Sequence, residues 1–179
     1  MTETGHVVSV SGDCAVVAMR MSGDCKKCGL CMKSSDGKEL HLLARNEAEA
    51  AQGDVPVATS IQFNGTREAV ALARFAHEVG AALGQLSAPY YYEPPDEDIF
   101  GLFKAVSDGS DLPIMIYNNW WNTLNMNMGM VDRLAELRNV VALKWSAPTS
   151  GQFTEGLHHL TDRLAVIDNE CQHVWSHMM

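Results

Sequence analysis

Lys144 is the residue of this sequence whose chemistry is most distinctive. It lies inside an apolar run of β type, Val-Val-Ala-Leu-Lys-Trp-Ser at 140–146. Burial disfavours a cation, so such a lysine favours the neutral amine, and neutral amines attack ketones and aldehydes to form Schiff bases. The alternative is that Lys144 ends an exposed strand and extends its amine into water.

A second candidate for chemistry is a cluster of thiols near the N-terminus. Cys25, Cys28 and Cys31 recur at every third position, with two lysines between the first pair. This spacing lets several thiolates converge on one iron–sulfur cluster or zinc ion, and nearby cations favour the thiolate form. Cys14 is a candidate for a fourth ligand. The alternative is three free thiols in an exposed loop, because a three-cysteine motif is incomplete.

Composition narrows the class of protein. The 179 residues are 46% hydrophobic and 20% charged, as in an ordinary globular chain, and the net charge is −9. The negative charge argues against a broad nucleic-acid or anionic-membrane surface. No run of residues is apolar for long enough to span a bilayer, and the first residues do not resemble a signal peptide. We therefore expect a cytoplasmic protein.

The pattern of the chain changes near residue 54. Before it, short β-branched runs at 6–10, 15–20 and 40–44 alternate with Ser/Gly/Asp turns. After it, strand patterns alternate with helical ones. The predicted strands are 55–61, 83–88, 112–117, 140–145 and 164–167, and the predicted helices are 66–79, 96–107, 128–137 and 152–160. Such alternation is typical of βα units and a parallel sheet.

A parallel sheet would bring two of the chemical side chains together. Right-handed crossovers place the carboxyl ends of all strands at one edge, where ligand sites are built. Tyr117 ends the third of these strands and Lys144 lies near the end of the fourth. A phenol beside a nucleophilic amine can relay the protons that imine formation requires.

Residues 55–170 resemble the dihydrodipicolinate synthase / N-acetylneuraminate lyase family. The matching stretches are TREAVALAR at 66–74, APYYYEP at 88–94, LPIMIYNN at 112–119 and RLAELRNVVALK at 133–144. The family consists of TIM barrels that form a Schiff base with pyruvate or a related 2-oxo acid. The resemblance therefore implies a class I lyase or aldolase that needs no cofactor beyond the covalent lysine imine.

The resemblance also implies roles for individual residues. Lys144 matches the Schiff-base lysine, and Tyr117 matches the tyrosine that shuttles protons to the carbonyl oxygen. Tyr91 matches the tyrosine that reaches into a neighbouring subunit's site, which implies a homo-oligomer. For Tyr90 and Tyr92 on either side of it, packing on the barrel rim is an equally good interpretation.

The loop after the tyrosine strand departs from the family. Asn122 stands where dihydrodipicolinate synthases have an arginine for the second substrate's carboxylate, and an amide cannot form a bidentate cationic clamp. Aspartate semialdehyde is therefore a poor candidate. Trp120 and Trp121 indicate a more apolar or aromatic aldehyde, although paired tryptophans also serve in packing. We take Asn122, Trp121 and Asn118 as the predicted substrate-binding residues.

Only part of the family's barrel is recognisable. The match runs from the third to the seventh family strand, and no Gly/Thr-rich carboxylate-binding loop precedes Val55. Residues 5–54 more weakly resemble the cysteine-rich domain of RseC-type proteins. The predicted fold class is α/β, a partial TIM barrel of about five βα units at 55–170, preceded by a small β-rich cysteine module at 1–54 and followed by a tail at 171–179.

Two functions follow from this organisation. The first is a lyase acting on pyruvate or a related 2-oxo acid and an aldehyde, in a fragment or chimera with impaired activity. The alternative is a non-enzymatic redox or metal-binding module, at Cys25, Cys28 and Cys31, that is fused to a degenerate barrel fragment.

Overall fold

Two separate sheets are present in the computed structural model, which describes residues 6–11, 14–18, 51, 56–63, 65–90, 92–121 and 124–169. The first sheet is an antiparallel pair of strands, β1 (His6–Ser11) and β2 (Cys14–Ala18), with a register shift between Val7 and Ser9. The second sheet has five parallel strands. The predicted strand at 40–44 lies outside the described residues.

The parallel sheet follows the order of the chain, β3-β4-β5-β6-β7. Its strands are β3 (Ala58–Ser60), β4 (Leu83–Ser87), β5 (Ile114–Asn119), β6 (Val140–Ser146) and β7 (Ala165–Asp168). Four helices connect them: α1 (Thr66–Glu78), α2 (Asp96–Gly109), α3 (Met128–Ala135) and α4 (Ser150–Leu160). Unbroken βα alternation with sequential neighbours is the pattern of a TIM barrel, and the α/β prediction is confirmed.

Local sequence signals set the ends of these helices. The side chains of Asn127 and Thr149 accept hydrogen bonds from backbone N–H groups in the first turns of α3 and α4. Three acidic residues lie in the first turn of α2, where the helix dipole favours negative charge. After α1 the chain turns at Gly80, whose φ of 89° suits glycine. None of the described helices has the length and apolar character needed to cross a membrane.

The two faces of the parallel sheet have opposite character. In-register partners share a face, so Leu86, Ile116 and Leu143 lie together on the face that packs against the helices. These three side chains are fully buried in the main hydrophobic core, together with Phe103 of α2 and Phe153 of α4. The core therefore forms between the sheet and its helices, and it fixes the strands that carry the polar face.

The opposite face of the sheet carries the candidate catalytic residues. Ser87, Tyr117, Lys144 and Ile167 are successive in-register partners on β4 to β7. Two residues further along each strand, towards the carboxyl edge and on the same face, Asn119 pairs with Ser146. In a barrel of this type that face is the interior, so the alternation along each strand separates core residues from candidate site residues.

The third predicted strand begins two residues later than expected. Leu112 and Pro113 precede β5, because the Ser110 hydroxyl accepts a hydrogen bond from the backbone N–H of Leu112 and closes a turn there. A register shift follows between Ile114 and Met115, and Val141, the additional residue on β6, is exposed. Neither irregularity changes which residues face the candidate site.

Candidate active site at the carboxyl edge of the sheet

Lys144 and Tyr117 are direct neighbours on adjacent parallel strands. Their Cα atoms are register partners, and the Lys144 Nζ lies 5.1 Å from the centroid of the Tyr117 ring. Both side chains are half-buried. The arrangement that was predicted from two strand patterns is therefore present, with a cation–π distance between the amine and the phenol ring.

The apolar surroundings of Lys144 in the sequence have a simple structural origin. Its neighbours Leu143 and Trp145 are buried on the helix-facing side, while Lys144 projects from the other side of the strand. The amine is thus half-buried on the polar face and does not lie within the hydrophobic core. This placement leaves it accessible to a small ligand while the strand itself is held by core packing.

Helix α4 packs closely against the strand that carries Lys144. The Trp145 ring contacts the ring of Phe153, with 5.6 Å between centroids and an interplanar angle of 33°. It also lies so near Gly156 that an added Cβ would be 2.3 Å from Trp145 Cζ3. These contacts hold Trp145, the residue next to Lys144, in place.

A chain of hydrogen bonds begins at the Tyr117 hydroxyl. Asn119 Nδ2 donates to Tyr117 Oη at 2.9 Å, and Asn119 Oδ1 accepts from the backbone N–H of Trp121 at 3.0 Å. Asn119 is fully buried. The phenol is therefore tied to the first turn of the loop that follows β5.

A second polar pair lies beside this chain. Asn169 Nδ2 donates to Ser146 Oγ at 2.8 Å, and Ser146 is fully buried two residues beyond Lys144. The sequence prediction did not include Asn119, Ser146 or Asn169. The period-two alternation could have identified the first two, because they follow Tyr117 and Lys144 at i+2 and must share their face.

Asn118 occupies a different environment from Tyr117. It is fully buried, its Nδ2 donates to the Met126 carbonyl at 2.8 Å, and its Oδ1 accepts from the Met126 N–H at 2.9 Å. These two bonds fix the return of the loop after β5. The substrate-binding role of Asn118 stays a prediction, and its contacts are with the backbone.

The aromatic residues predicted around the site lie at the surface. Trp120 and Trp121 are about half exposed, as are Tyr90 and Tyr92. The backbone N–H of Trp121 donates to Asn119 Oδ1. The substrate-binding role of Trp121 and the packing of Tyr90 and Tyr92 on the rim stay predictions.

Several predicted site residues lie outside the described residues. These are Tyr91, Asn122 and the three cysteines Cys25, Cys28 and Cys31. Only the strand assignment of Cys14 is described. Among the residues that the structure describes, no group of three or more His, Cys, Asp or Glu side chains is placed to hold a metal ion.

One charge network among the described residues lies on the helical layer, away from Lys144. Asp132 of α3 accepts hydrogen bonds from Arg163 and from His159 Nε2, the latter at 2.9 Å. Burial would raise the pKa of Asp132, but the hydrogen bonds from Arg163 and His159 outweigh it and hold that pKa below its ordinary value. This network joins α3 to the end of α4, and so supports the helices behind β6.

The comparisons with known proteins agree on one family. The model of the dihydrodipicolinate synthetase family matches residues 32–172. A 4-hydroxy-tetrahydrodipicolinate synthase of Halalkalibacterium halodurans is 38% identical over 122 residues, which is 68% of this chain and 41% of that protein. One of Rhodospirillum centenum is 40% identical over 97 residues, 54% of this chain and 33% of that protein.

Solved structures give the same result. Dihydrodipicolinate synthase from Aquifex aeolicus has a TM-score of 0.68 at 31% identity, covering 73% of this chain and 45% of that one. The chloride-inhibited dihydrodipicolinate synthase from Acinetobacter baumannii, solved with pyruvate, has a TM-score of 0.69 at 26% identity, covering 76% and 48%. The chain spans less than half the length of each of these four relatives.

Proposed function

The chain belongs to the dihydrodipicolinate synthetase family, and we propose that Lys144 forms a Schiff base with pyruvate or a related 2-oxo acid. One observation supports this proposal above the others: the amine of Lys144 lies 5.1 Å from the ring of Tyr117 on the neighbouring parallel strand. An amine and a proton-transferring phenol at the carboxyl edge of a βα sheet are the two groups that imine formation requires.

The proposed reaction uses the two side chains in sequence. The neutral Lys144 amine adds to the keto carbon, forming a C–N bond, while Tyr117 donates a proton to the carbonyl oxygen and takes up the proton that the nitrogen releases, which gives a neutral carbinolamine. Tyr117 then donates a proton to the carbinolamine hydroxyl, which leaves as water as the C–N double bond forms, and the product is a protonated imine. The adjacent carbon of the protonated imine loses a proton to the Tyr117 phenolate, and the neutral enamine that results can add to an aldehyde.

We propose residue roles for the second step from the family comparison. Tyr91 would reach into the catalytic site of a neighbouring subunit. Asn122, Trp121 and Asn118 would line the aldehyde site, and the aldehyde would be apolar or aromatic because Asn122 replaces the family's arginine. The described residues supply five parallel strands, whereas a closed barrel has eight.

The test of imine formation is reductive trapping. Wild-type protein is incubated with pyruvate and borohydride, and intact mass is measured. We expect one covalent addition in wild type and none in Lys144→Ala, while the exposed Lys104→Ala, matched in chemistry but 40 positions away, behaves as wild type. Tyr117→Phe should slow the addition about 10²- to 10⁴-fold, the range for a lost acid–base group.

The cysteine segment supports a second candidate function, a redox or metal-binding module of the RseC type. The family match begins at residue 32, one position after Cys31, so all three clustered cysteines precede the matched residues. We propose that they hold an iron–sulfur cluster or zinc. Elemental analysis and visible absorbance of anaerobically purified protein test this, with Cys28→Ser as the matched control. A metal-free, colourless wild-type protein would contradict it.

A further inference from the structure

Asn119 is a fully buried amide whose two ends are both used. Its Oδ1 accepts from the backbone N–H of Trp121, and its Nδ2 donates to Tyr117 Oη. A backbone N–H can only donate, so the end of the amide that faces Trp121 must be the oxygen. The end that faces Tyr117 is therefore the nitrogen, which has protons to give and cannot accept one.

This orientation has a consequence for the phenol. A tyrosine hydroxyl has one proton, and a neighbour that can only donate does not compete for it. The 2.9 Å bond from Asn119 thus occupies Tyr117 Oη as an acceptor and leaves the hydroxyl proton to be directed elsewhere. Lys144 is the neighbour of Tyr117 on the next strand. A substrate carbonyl oxygen bound beside the Lys144 amine would therefore lie near the Tyr117 hydroxyl and could accept its proton.

We propose that Asn119 is a positioning residue that keeps the Tyr117 proton available to the substrate carbonyl oxygen. This inference rests on the proposed imine chemistry at Lys144. The same amide links the proton donor to the backbone N–H of Trp121 in the loop after β5, where the aldehyde site is proposed.

Asn119→Asp changes one of the two hydrogen bonds of the amide and keeps the other. The aspartate has the same shape and can still accept from Trp121, but at mildly alkaline pH it is ionised and accepts at both ends. The Tyr117 hydroxyl would then donate its proton to the carboxylate and turn it away from Lys144. Asn119→Ser is the second variant: its short side chain can accept from Trp121 but cannot reach Tyr117. Circular dichroism and thermal melting check that both variants are folded.

The measurement is the rate of borohydride-trapped adduct formation as a function of pyruvate concentration. We expect Asn119→Asp to lower the maximal rate about 10- to 100-fold, as for a misplaced acid–base group, while the pyruvate concentration for half-maximal rate changes less than about threefold. In a Tyr117→Phe background the same substitution should change the rate less than about twofold, because no proton remains to be positioned. A merely structural role would slow both backgrounds equally.

The outcomes separate the two proposals. Wild-type protein that is folded but forms no adduct overturns the imine proposal and the role of Asn119 with it. Wild type that forms the adduct at the same maximal rate as folded Asn119→Asp and Asn119→Ser overturns only the role of Asn119. Equal slowing by Asn119→Asp in the presence and absence of the Tyr117 hydroxyl overturns it as well.

Discussion

Gly156 is the position where packing behind Lys144 can be tested most sharply. In Gly156→Ala the new Cβ would lie 2.3 Å from Cζ3 and 2.5 Å from Cη2 of Trp145, whereas ordinary van der Waals contact begins at 3.4 Å. The ring or the helix must therefore move by about 1.1 Å. Trp145 is buried and already packed against Phe153, so neither movement is free.

The matched control is Gly151→Ala in the same helix, where an added Cβ meets no atom within 4 Å. Both substitutions gain up to about 1 kcal/mol from the higher helix propensity of alanine. Only Gly156→Ala adds an overpacking cost of about 1–3 kcal/mol. We expect its free energy of unfolding to be about 1–3 kcal/mol lower than that of Gly151→Ala.

Urea unfolding followed by circular dichroism gives both values, with unchanged m-values as the check on comparable states. Because Trp145 adjoins Lys144, adduct formation with pyruvate should also be slower in Gly156→Ala than in Gly151→Ala. Equal unfolding free energies for the two variants would refute the packing argument, since they would mean that α4 does not press on Trp145.

Two further predictions concern the layer that supports the site. Asp132→Asn should lower stability by about 0.2–1 kcal/mol near neutral pH. Because folding lowers the pKa of Asp132, its contribution to the free energy of unfolding is present above the ordinary pKa of 3.8 and is lost as pH falls through the lowered pKa. The unfolding free energies of wild type and variant, measured in urea, should therefore converge at acid pH. A difference between them that stays constant with pH would contradict this. Asn118→Ala should lower the free energy of unfolding by about 2–3 kcal/mol, because it leaves two buried backbone groups of Met126 unpaired. The control Asn125→Ala, at an exposed position, should change it little. Equal thermal midpoints for these two variants would contradict the prediction.

The parallel sheet could be predicted because its signals are local. Apolar periodicity located four helices and five strands to within a few residues, and the carboxyl-edge rule brought Tyr117 next to Lys144. The buried amide of Asn119 was not foreseen as part of the site, because an asparagine after a strand also suits an ordinary turn. Period-two alternation separates it from Asn118, which faces the opposite way and holds the loop, but the hydrogen bond from Asn119 to the Tyr117 hydroxyl needed the structure.

The environment of Lys144 also needed the structure. The apolar run at 140–146 indicated a buried amine, but it was apolar because alternate residues of β6 face the helices. A single strand pattern cannot distinguish a lysine in the core from a lysine on the polar face of a half-buried strand. The β-branched composition of the run identified the strand correctly, but it did not determine on which face of the sheet Lys144 lies.

The central claim is that Lys144 is the residue that reacts with a 2-oxo acid. Its most direct test is peptide mapping of wild-type protein after incubation with pyruvate and borohydride, with fragment spectra that assign the modified lysine. The account predicts one modification on the peptide that contains Lys144, and none in the folded Lys144→Ala variant. An unmodified folded wild type, or modification spread over surface lysines and unchanged in the variant, would contradict it.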